Sequence, residues 1–114
     1  MVYYYFMTLS SNTRSQMRKG TLEFTILLAL AARERMYASD IIGHLKGAGL
    51  DVIEGTLYPL LSRLRREELL DHAWEESKSG PPRKYYSLTS SGRKTLKELK
   101  DEWEKLAESI SRLT

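Results

Sequence analysis

The chain contains no cysteine, and this absence excludes several kinds of chemistry at once. Without thiols it can form no disulfide, use no cysteine nucleophile and bind no metal through thiolates. The default location expected for a chain without disulfides is a reducing cytoplasm.

Histidine is scarce as well, since His44 and His72 are the only two in the chain. One falls in a predicted helix and the other in a predicted strand, and no glycine-rich phosphate loop accompanies them. The acidic pairs at 67–68 and 75–76 are adjacent in sequence, so their side chains do not converge on one face for acid and base work. We therefore expect no enzymatic activity, no cofactor and no metal site.

Long apolar runs are also missing. The apolar opening, Met1–Met7, is too short to cross a bilayer and carries no basic leader, so we expect neither a signal peptide nor a membrane anchor. Residues 1–18 are interpreted as an N-terminal arm. The arm either packs on a partner subunit or is a disordered or over-annotated start, with Met7 or Met17 as the true initiator.

The charge balance is only mildly basic, with a net charge of +3 from 18 basic and 15 acidic residues. Nucleic-acid binding must therefore be argued from where the charges lie. With 114 residues, 41% of them hydrophobic, the chain forms one modest domain with a small core. Such a domain gains stability from a partner subunit, and we expect a homodimer.

The most informative segment is 55–66, GTLYPLLSRLRR. Its leucines fall on one helical stripe, whereas its polar and cationic residues point elsewhere. Because Pro59 is tolerated only in a first turn, we expect the helix to begin near Gly55 and to present Thr56 and Tyr58 at its tip. A helix tip binds phosphate well, so this segment predicts a helix that reads DNA.

Two helices are predicted before this one. Residues 21–32 are apolar on nearly every face and predict a buried helix. A second helix begins at Ser39-Asp40 and is stopped by the run Gly47-Ala48-Gly49. With the extended residues 50–53 and the reading helix after them, these elements form a helix-turn-helix.

A basic hairpin follows. Residues 70–76 alternate with Leu70, His72 and Trp74 on one side, and residues 84–89 alternate with Tyr86 and Leu88 toward the core. The turn between the two strands is stiff and cationic, which is typical of the wing of a winged helix. In this wing we expect Tyr86 to be buried and its neighbour Tyr85 to face a phosphate.

The last helix is capped by residues 89–91 and carries an apolar stripe at steps of three and four residues. This stripe needs a partner, and we interpret it as the dimer interface. Its members are Leu96, Leu99, Trp103, Leu106, Ile110 and Leu113. The predicted fold is mainly α with a small β-hairpin, an α+β winged helix-turn-helix over 19–89 with an added C-terminal dimerisation helix over 90–114.

Two motifs carry a family resemblance. The first is GTLYPLL at 55–61, followed by Arg63-Leu64, and the second is GPPRKYYSLT at 80–89, followed by Gly92. At this spacing they resemble the PadR family of winged-helix transcriptional regulators, in particular short members that end in a single helix and include multidrug sensors. The resemblance covers about Lys19 to Leu113. The segment 37–42 is similar to the family's Tyr-Gly-Tyr-Glu-Ile segment, with Ala38 and Ser39 in place of the usual Gly and Tyr.

This resemblance implies a homodimer that binds an inverted-repeat DNA operator and usually represses transcription, with its C-terminal helices pairing the subunits. In some members small molecules or stress signals relieve repression. Trp103 falls where the multidrug sensors place a tryptophan that stacks on flat aromatic ligands, so an effector pocket at Trp103 and Leu99 is one interpretation. The other is that Trp103 only fills the interface.

We therefore predict a sequence-specific DNA-binding transcriptional regulator that acts as a homodimeric repressor. Its predicted partners are double-stranded DNA and a small aromatic ligand. The predicted DNA contacts are Tyr37, Ser39, Gly55, Thr56, Tyr58, Pro59, Ser62, Arg63, Arg66, Lys78, Arg83, Lys84 and Tyr85. Two alternatives stay open. In the first, the helix arginines pair with Glu67 and Glu68 instead of DNA. In the second, the winged helix serves protein association or small-molecule binding without reading DNA.

Overall fold

The structure is a computed structural model that describes residues 2–114, with side chains from residue 12 onward. In chain order its elements are α1 (Val2–Ala31), β1 (Met36–Tyr37), α2 (Ala38–Gly47), α3 (Glu54–Arg66), β2 (Leu70–Glu75), β3 (Arg83–Leu88) and α4 (Ser90–Leu113). The strands form one antiparallel sheet in the order β1-β3-β2. Four helices with a small sheet confirm the predicted α+β winged helix.

One core joins the helices to the sheet. Ile26 and Leu30 of α1, Ile41 of α2 and Leu57 and Leu61 of α3 are fully buried in it. The leucine stripe predicted for α3 is therefore the face that packs inward, and the polar residues between these leucines remain exposed. This packing fixes which side of α3 faces outward.

The first helix is much longer than the predicted 21–32. Residues 13–19 contain several good helix formers and no proline, but most are exposed and show no apolar period that could reveal a helix. The predicted arm shares the backbone of α1 from Val2 onward. The side chains of 2–11 lie outside the described residues, so neither interpretation of the arm is tested.

The sheet has a third strand that the sequence analysis missed. In β1, Met36 pairs with Tyr86 and Tyr37 pairs with Tyr85, so the expected two-stranded hairpin is corrected to a three-stranded sheet. A two-residue strand is too short to show the alternation of apolar and polar side chains that reveals a strand. It is a strand only because it pairs with β3, which lies far along the chain. Tyr86 is buried while Tyr85 is partly exposed, as predicted.

The position of Pro59 also differs from expectation. Because α3 begins at Glu54, Pro59 is its sixth residue and lies in the second turn, not the first. A proline there removes the hydrogen bond to the carbonyl four residues earlier and crowds that carbonyl. The earlier residue is Gly55, which is exposed to solvent.

The end of α3 is joined tightly to the start of α4. The Thr89 hydroxyl donates to the carbonyl of Glu68 (2.7 Å) and accepts from the amide of Gly92 (2.9 Å), which confirms the predicted cap of α4. The Thr89 amide also donates to the Leu69 carbonyl (3.1 Å). A Cβ on Gly92 would collide with that same carbonyl oxygen, so only glycine fits at this joint.

Candidate nucleic-acid interface

An open groove of about 390 Å³ runs between α3 and the β2–β3 wing, and we call it the reading groove. Six predicted DNA contacts line it together: Tyr37, Ser39, Tyr58, Ser62, Arg83 and Lys84. Two cations, two hydroxymethyl groups and two phenols therefore share one concave surface. Hydroxyl and cationic donors of this kind bind phosphate oxygens.

The N-terminus of α3 lies beside the groove, and Gly55, Thr56 and Pro59 are exposed there. The amides of Thr56 and Leu57 both donate to the carbonyl of Ile53, and no side chain caps the helix. The two amides before these, of Glu54 and Gly55, have no partner within the helix, so an anion at this end could accept from them. The carboxylate of Glu54 lines the same groove and opposes a phosphate placed beside it.

Two cations and two rings form a continuous stack on one side of the sheet. The rings of Tyr37 and Tyr85 lie 3.9 Å apart at an angle of 18°. The guanidinium of Arg83 lies 3.7 Å from the centre of the Tyr37 ring, and that of Arg35 lies 4.6 Å from the centre of the Tyr85 ring. We call these four residues the tyrosine stack. It connects the groove to a residue outside it, because Arg35 does not line the groove.

Hydrogen bonds tie the tyrosine stack to its surroundings. The Tyr37 hydroxyl donates to the Glu75 carboxylate (3.1 Å), and Arg83 donates through Nη2 to the Ser39 hydroxyl (3.2 Å). Hydrogen bonding to Tyr37 first, and to Glu75 next, raises the pKa of Tyr85 above its ordinary value. Tyr85 therefore keeps its proton and stays neutral beside the guanidinium of Arg35.

The wing presents a second aromatic and cation pair. Trp74 is 64% exposed, and the Lys84 ammonium lies 4.8 Å from the centre of its ring. Trp74 shares a strand face with Leu70, as predicted, but it lies toward the wing tip, beyond the core that buries Leu70. Both members of the pair line the reading groove.

The helix arginines do not join the groove. Arg63 pairs with Glu67 (3.3 Å), which is the alternative raised from the sequence, and also with Glu23 of α1 (2.9 Å). Arg66 lines a different surface cavity, together with Asp71 and Ser91. Lys78 lies in the exposed turn of the wing. A DNA contact by any of these three cations stays a prediction.

Several residues at this surface were not predicted. Glu54, Trp74, Pro82 and Tyr86 also line the reading groove, and Arg35 and Glu75 belong to the tyrosine stack or bond to it. Pro82 lies inside the wing motif and could have been found from it. Arg35 has no sequence signal, because its role depends on a ring contributed by a distant strand.

The stripe of α4 divides into two parts. Leu96 is buried in the chain's own core and Leu99 packs against that core. Beyond them the stripe is open, with exposures of 45% for Trp103, 51% for Leu106 and 46% for Ile110. Leu113, the last of the predicted interface residues, is 87% exposed. The part that a second subunit could cover therefore begins at Trp103, whose ring lies 6.2 Å from that of Phe24 on α1.

Two further features of the described residues bear on other functions. No helix among them is both long and apolar enough to cross a membrane. No group of three or more histidine, cysteine, aspartate or glutamate side chains in the same part of the chain is placed to hold a metal ion.

Comparison with known proteins gives consistent matches. Residues 27–98 match the profile of the transcriptional regulator PadR-like family. A PadR-like transcription factor from Bacteroides fragilis is 53% identical, with a TM-score of 0.77, and the match covers 90% of this chain and 99% of that one. A PadR family regulator from Eggerthella lenta is 32% identical over 95% of this chain and 90% of its own, with a TM-score of 0.79. An uncharacterized protein of Lysinibacillus sphaericus is 32% identical over 85% of this chain and 91% of its own length.

Proposed function

The chain belongs to the transcriptional regulator PadR-like family, and from this premise we propose that it is a homodimeric repressor that binds an inverted-repeat operator. The family consists of transcriptional regulators and not of enzymes, so regulation through DNA is its general function. A repressor of this kind is expected to act in the cytoplasm, where it meets the DNA.

The reading groove is the observation that carries this proposal. It gathers hydroxyl donors and cations from β1, α2, α3 and the wing, elements that are far apart in sequence. A module that bound only other proteins would have no need for Arg83 and Lys84 beside the polar face of a helix tip. A sugar-phosphate strand that passes between a helix in the major groove and a wing in the adjacent groove fits this arrangement.

On DNA, we expect the tip of α3 to enter the major groove. Thr56, Tyr58 and Ser62 are exposed on the outer face of α3, so their hydroxyls can reach base edges or flanking phosphates. In a dimer the two copies of α3 would lie about 34 Å apart, one turn of DNA, which requires an operator with twofold symmetry.

The open stripe of α4 supports the dimer. Trp103, Leu106 and Ile110 recur at helical spacing and are about half exposed in the single chain, although they are among its most apolar side chains. Covering such a stripe with the same stripe of a second chain removes apolar surface from water. A planar aromatic effector beside Trp103, with Phe24 as a further wall, is the proposed signal that releases the DNA.

Selection from a library of randomised DNA duplexes tests the proposal without a known operator. We expect an enriched inverted repeat whose half-sites are centred about 10 base pairs apart. Fluorescence anisotropy should then give binding that weakens steeply with salt. Lys84→Gln should lower the slope of log affinity against log salt by about 0.9, because one phosphate contact is lost.

Lys105→Gln is the matched control, since Lys105 lies in the exposed second half of α4, outside the reading groove. It should leave the slope unchanged. A protein that enriches no sequence, or that binds all duplexes equally in the presence of competitor DNA, would contradict the proposal.

A further inference from the structure

Arg35 lies outside the reading groove, but its guanidinium contacts the tyrosine stack that holds Arg83, one of the cations of the groove. We propose that Arg35 is a positioning residue, which acts through the stacked rings of Tyr85 and Tyr37 to hold Arg83 in place for a DNA phosphate. This inference rests on the proposed function, because it concerns how strongly the protein binds DNA.

The order of the stack follows from its distances. The two rings are 3.9 Å apart and nearly parallel, so their inner faces are fully occupied by each other. Each ring is left with one outer face, and a guanidinium covers each of these faces. Ring faces carry negative charge density that attracts cations. Arg35 and Arg83 therefore close the two ends of one stack.

The sheet explains why these side chains meet. Tyr37 and Tyr85 are directly opposite each other in the pairing of β1 with β3. Arg83 is two residues before Tyr85 in β3, so both side chains lie on the same face of the sheet. Arg35 immediately precedes β1, close to the same pair. The backbone register thus brings all four side chains to one face.

Arg83 is held before any DNA arrives. Its guanidinium lies over the Tyr37 ring and uses one N–H on the Ser39 hydroxyl, which leaves further N–H donors for a phosphate. An arginine that moves freely loses rotamer entropy when it binds, whereas an arginine that is already held loses less. Loss of Arg35 exposes the outer face of Tyr85 and loosens the ring pair on which Arg83 rests.

Two other roles for Arg35 give different results. Arg35 could bind a phosphate directly, because it is an exposed cation near the same surface, or it could only stabilise the sheet. A direct contact adds its own binding energy whether or not Arg83 is present. A purely stabilising role changes the unfolding temperature but not the DNA affinity of the folded protein. Positioning makes the effect of Arg35 depend on Arg83.

A double-mutant cycle on the selected operator separates these roles. We expect Arg35→Gln to weaken DNA binding about two- to fivefold, the effect of one exposed cation–π contact. Arg83→Gln should weaken it further, and the double variant should bind no more weakly than Arg83→Gln alone. Arg33→Gln is the matched control, because it removes the same charge from the same loop outside the stack. Its small effect should persist when Arg83 is also replaced.

Substitutions at Tyr85 test the ring itself. Tyr85→Leu removes the stacked ring and should match Arg35→Gln, whereas Tyr85→Phe keeps the ring, loses only what the hydroxyl contributes and should bind DNA more tightly than Tyr85→Leu. Unfolding temperatures of all variants identify any loss that comes from destabilisation. Additive losses in the cycle, no loss in Arg35→Gln, or equal losses in Phe and Leu would overturn the inference. If the parent protein selects no operator, the proposed function itself fails, and this result is visible before any variant is made.

Discussion

At the scale of single residues, Glu68 holds a backbone conformation that suits glycine. It follows the end of α3 with a φ of 63°, and the Leu69 amide after it donates back to the Leu64 carbonyl (3.0 Å). Left-handed backbone of this kind costs a residue with a Cβ about 1 to 2 kcal/mol. Glu68→Gly should therefore raise the free energy of unfolding by about 0.5 to 1 kcal/mol, because glycine's extra unfolded entropy offsets part of the gain.

Glu67→Gly is the control for this change. Glu67 is the preceding residue, and its φ of −81° suits any residue, so glycine there gains nothing and should lower stability. Chemical denaturation with equal slopes for all three proteins measures both effects. A lower midpoint for Glu68→Gly than for the parent protein would show that the left-handed conformation is not costly here.

A second prediction at this scale concerns His72 on β2. Its Nδ1 is shielded from solvent and has no hydrogen-bond partner among the described side chains and backbone. Burial first, and then the charges of Arg65 and Lys84, lower the pKa of His72 below its ordinary value of 6.5. The unfolded chain therefore binds a proton at a pH where the folded protein does not, and stability falls as the pH drops below about 6.5.

Replacing His72 with phenylalanine removes this proton linkage and keeps a flat ring beside Tyr86, which lies 6.5 Å from the histidine ring. The free energy of unfolding of His72→Phe should decline less between pH 7 and pH 5 than that of the parent protein. Denaturation midpoints across this range provide the measurement. Parallel pH curves for the two proteins would rule out a contribution from His72.

At the scale of elements, the fluorescence of Trp74 on β2 can report whether the wing approaches DNA. The chain has two tryptophans, so Trp103→Phe leaves Trp74 as the only source of tryptophan emission. Because Trp74 is exposed and lines the reading groove, operator DNA should cover it and change its emission. Titration with operator, compared with a duplex of scrambled sequence, measures this change.

The reciprocal variant, Trp74→Phe, reports from α4 instead. Its emission should respond to a planar aromatic compound and much less to DNA, since Trp103 lies outside the reading groove. A Trp74 signal that stays constant at saturating operator would mean that the wing does not approach the DNA.

The ends of helices could be predicted where they depend on residues that are close in the sequence. The cap at Thr89 and the glycines after α2 act within a few residues, and both ends appear close to where local chemistry put them. The inward leucines of α3 follow from helical period alone. The buried Tyr86 follows from strand alternation next to Leu88 in the same way.

What sequence reasoning missed depends on contacts between distant residues. Strand β1 exists because Tyr37 pairs with Tyr85, and the two residues show no joint pattern in the sequence. Arg63 is occupied because α1 brings Glu23 to it, whereas the sequence suggested only its near neighbour Glu67. The role of Arg35 depends on the same strand pairing. Tertiary packing decides these cases, and no local propensity encodes it.

At the scale of the whole molecule, the chain is elongated, measuring 55 × 36 × 25 Å, and every residue of α4 from Asp101 onward is exposed. We expect two chains to pair along this part of α4. Ile110→Glu should convert the dimer to a monomer at micromolar concentration, because it buries a carboxylate in an apolar seam. Sedimentation equilibrium measures the change.

Ser111→Glu is the control for Ile110→Glu. It adds the same charge at the next residue, off the apolar stripe, and should leave the dimer intact. The monomer formed by Ile110→Glu should also lose most of its affinity for the inverted repeat while it still unfolds cooperatively. A parent protein that sediments as a monomer at high concentration would contradict the predicted pairing.

The close fit of Gly92 under the Leu69 carbonyl has a mechanical consequence. Thr89 is hydrogen-bonded to Glu68 just after α3 and to Gly92 in the first turn of α4, so short contacts tie the end of α3 to the start of α4. If two chains pair through their α4 helices, the crossing angle of these two helices sets the distance between the two copies of α3. A change of a few degrees in this crossing angle, away from the DNA, then moves both α3 tips so that their separation no longer matches the helical repeat of the duplex.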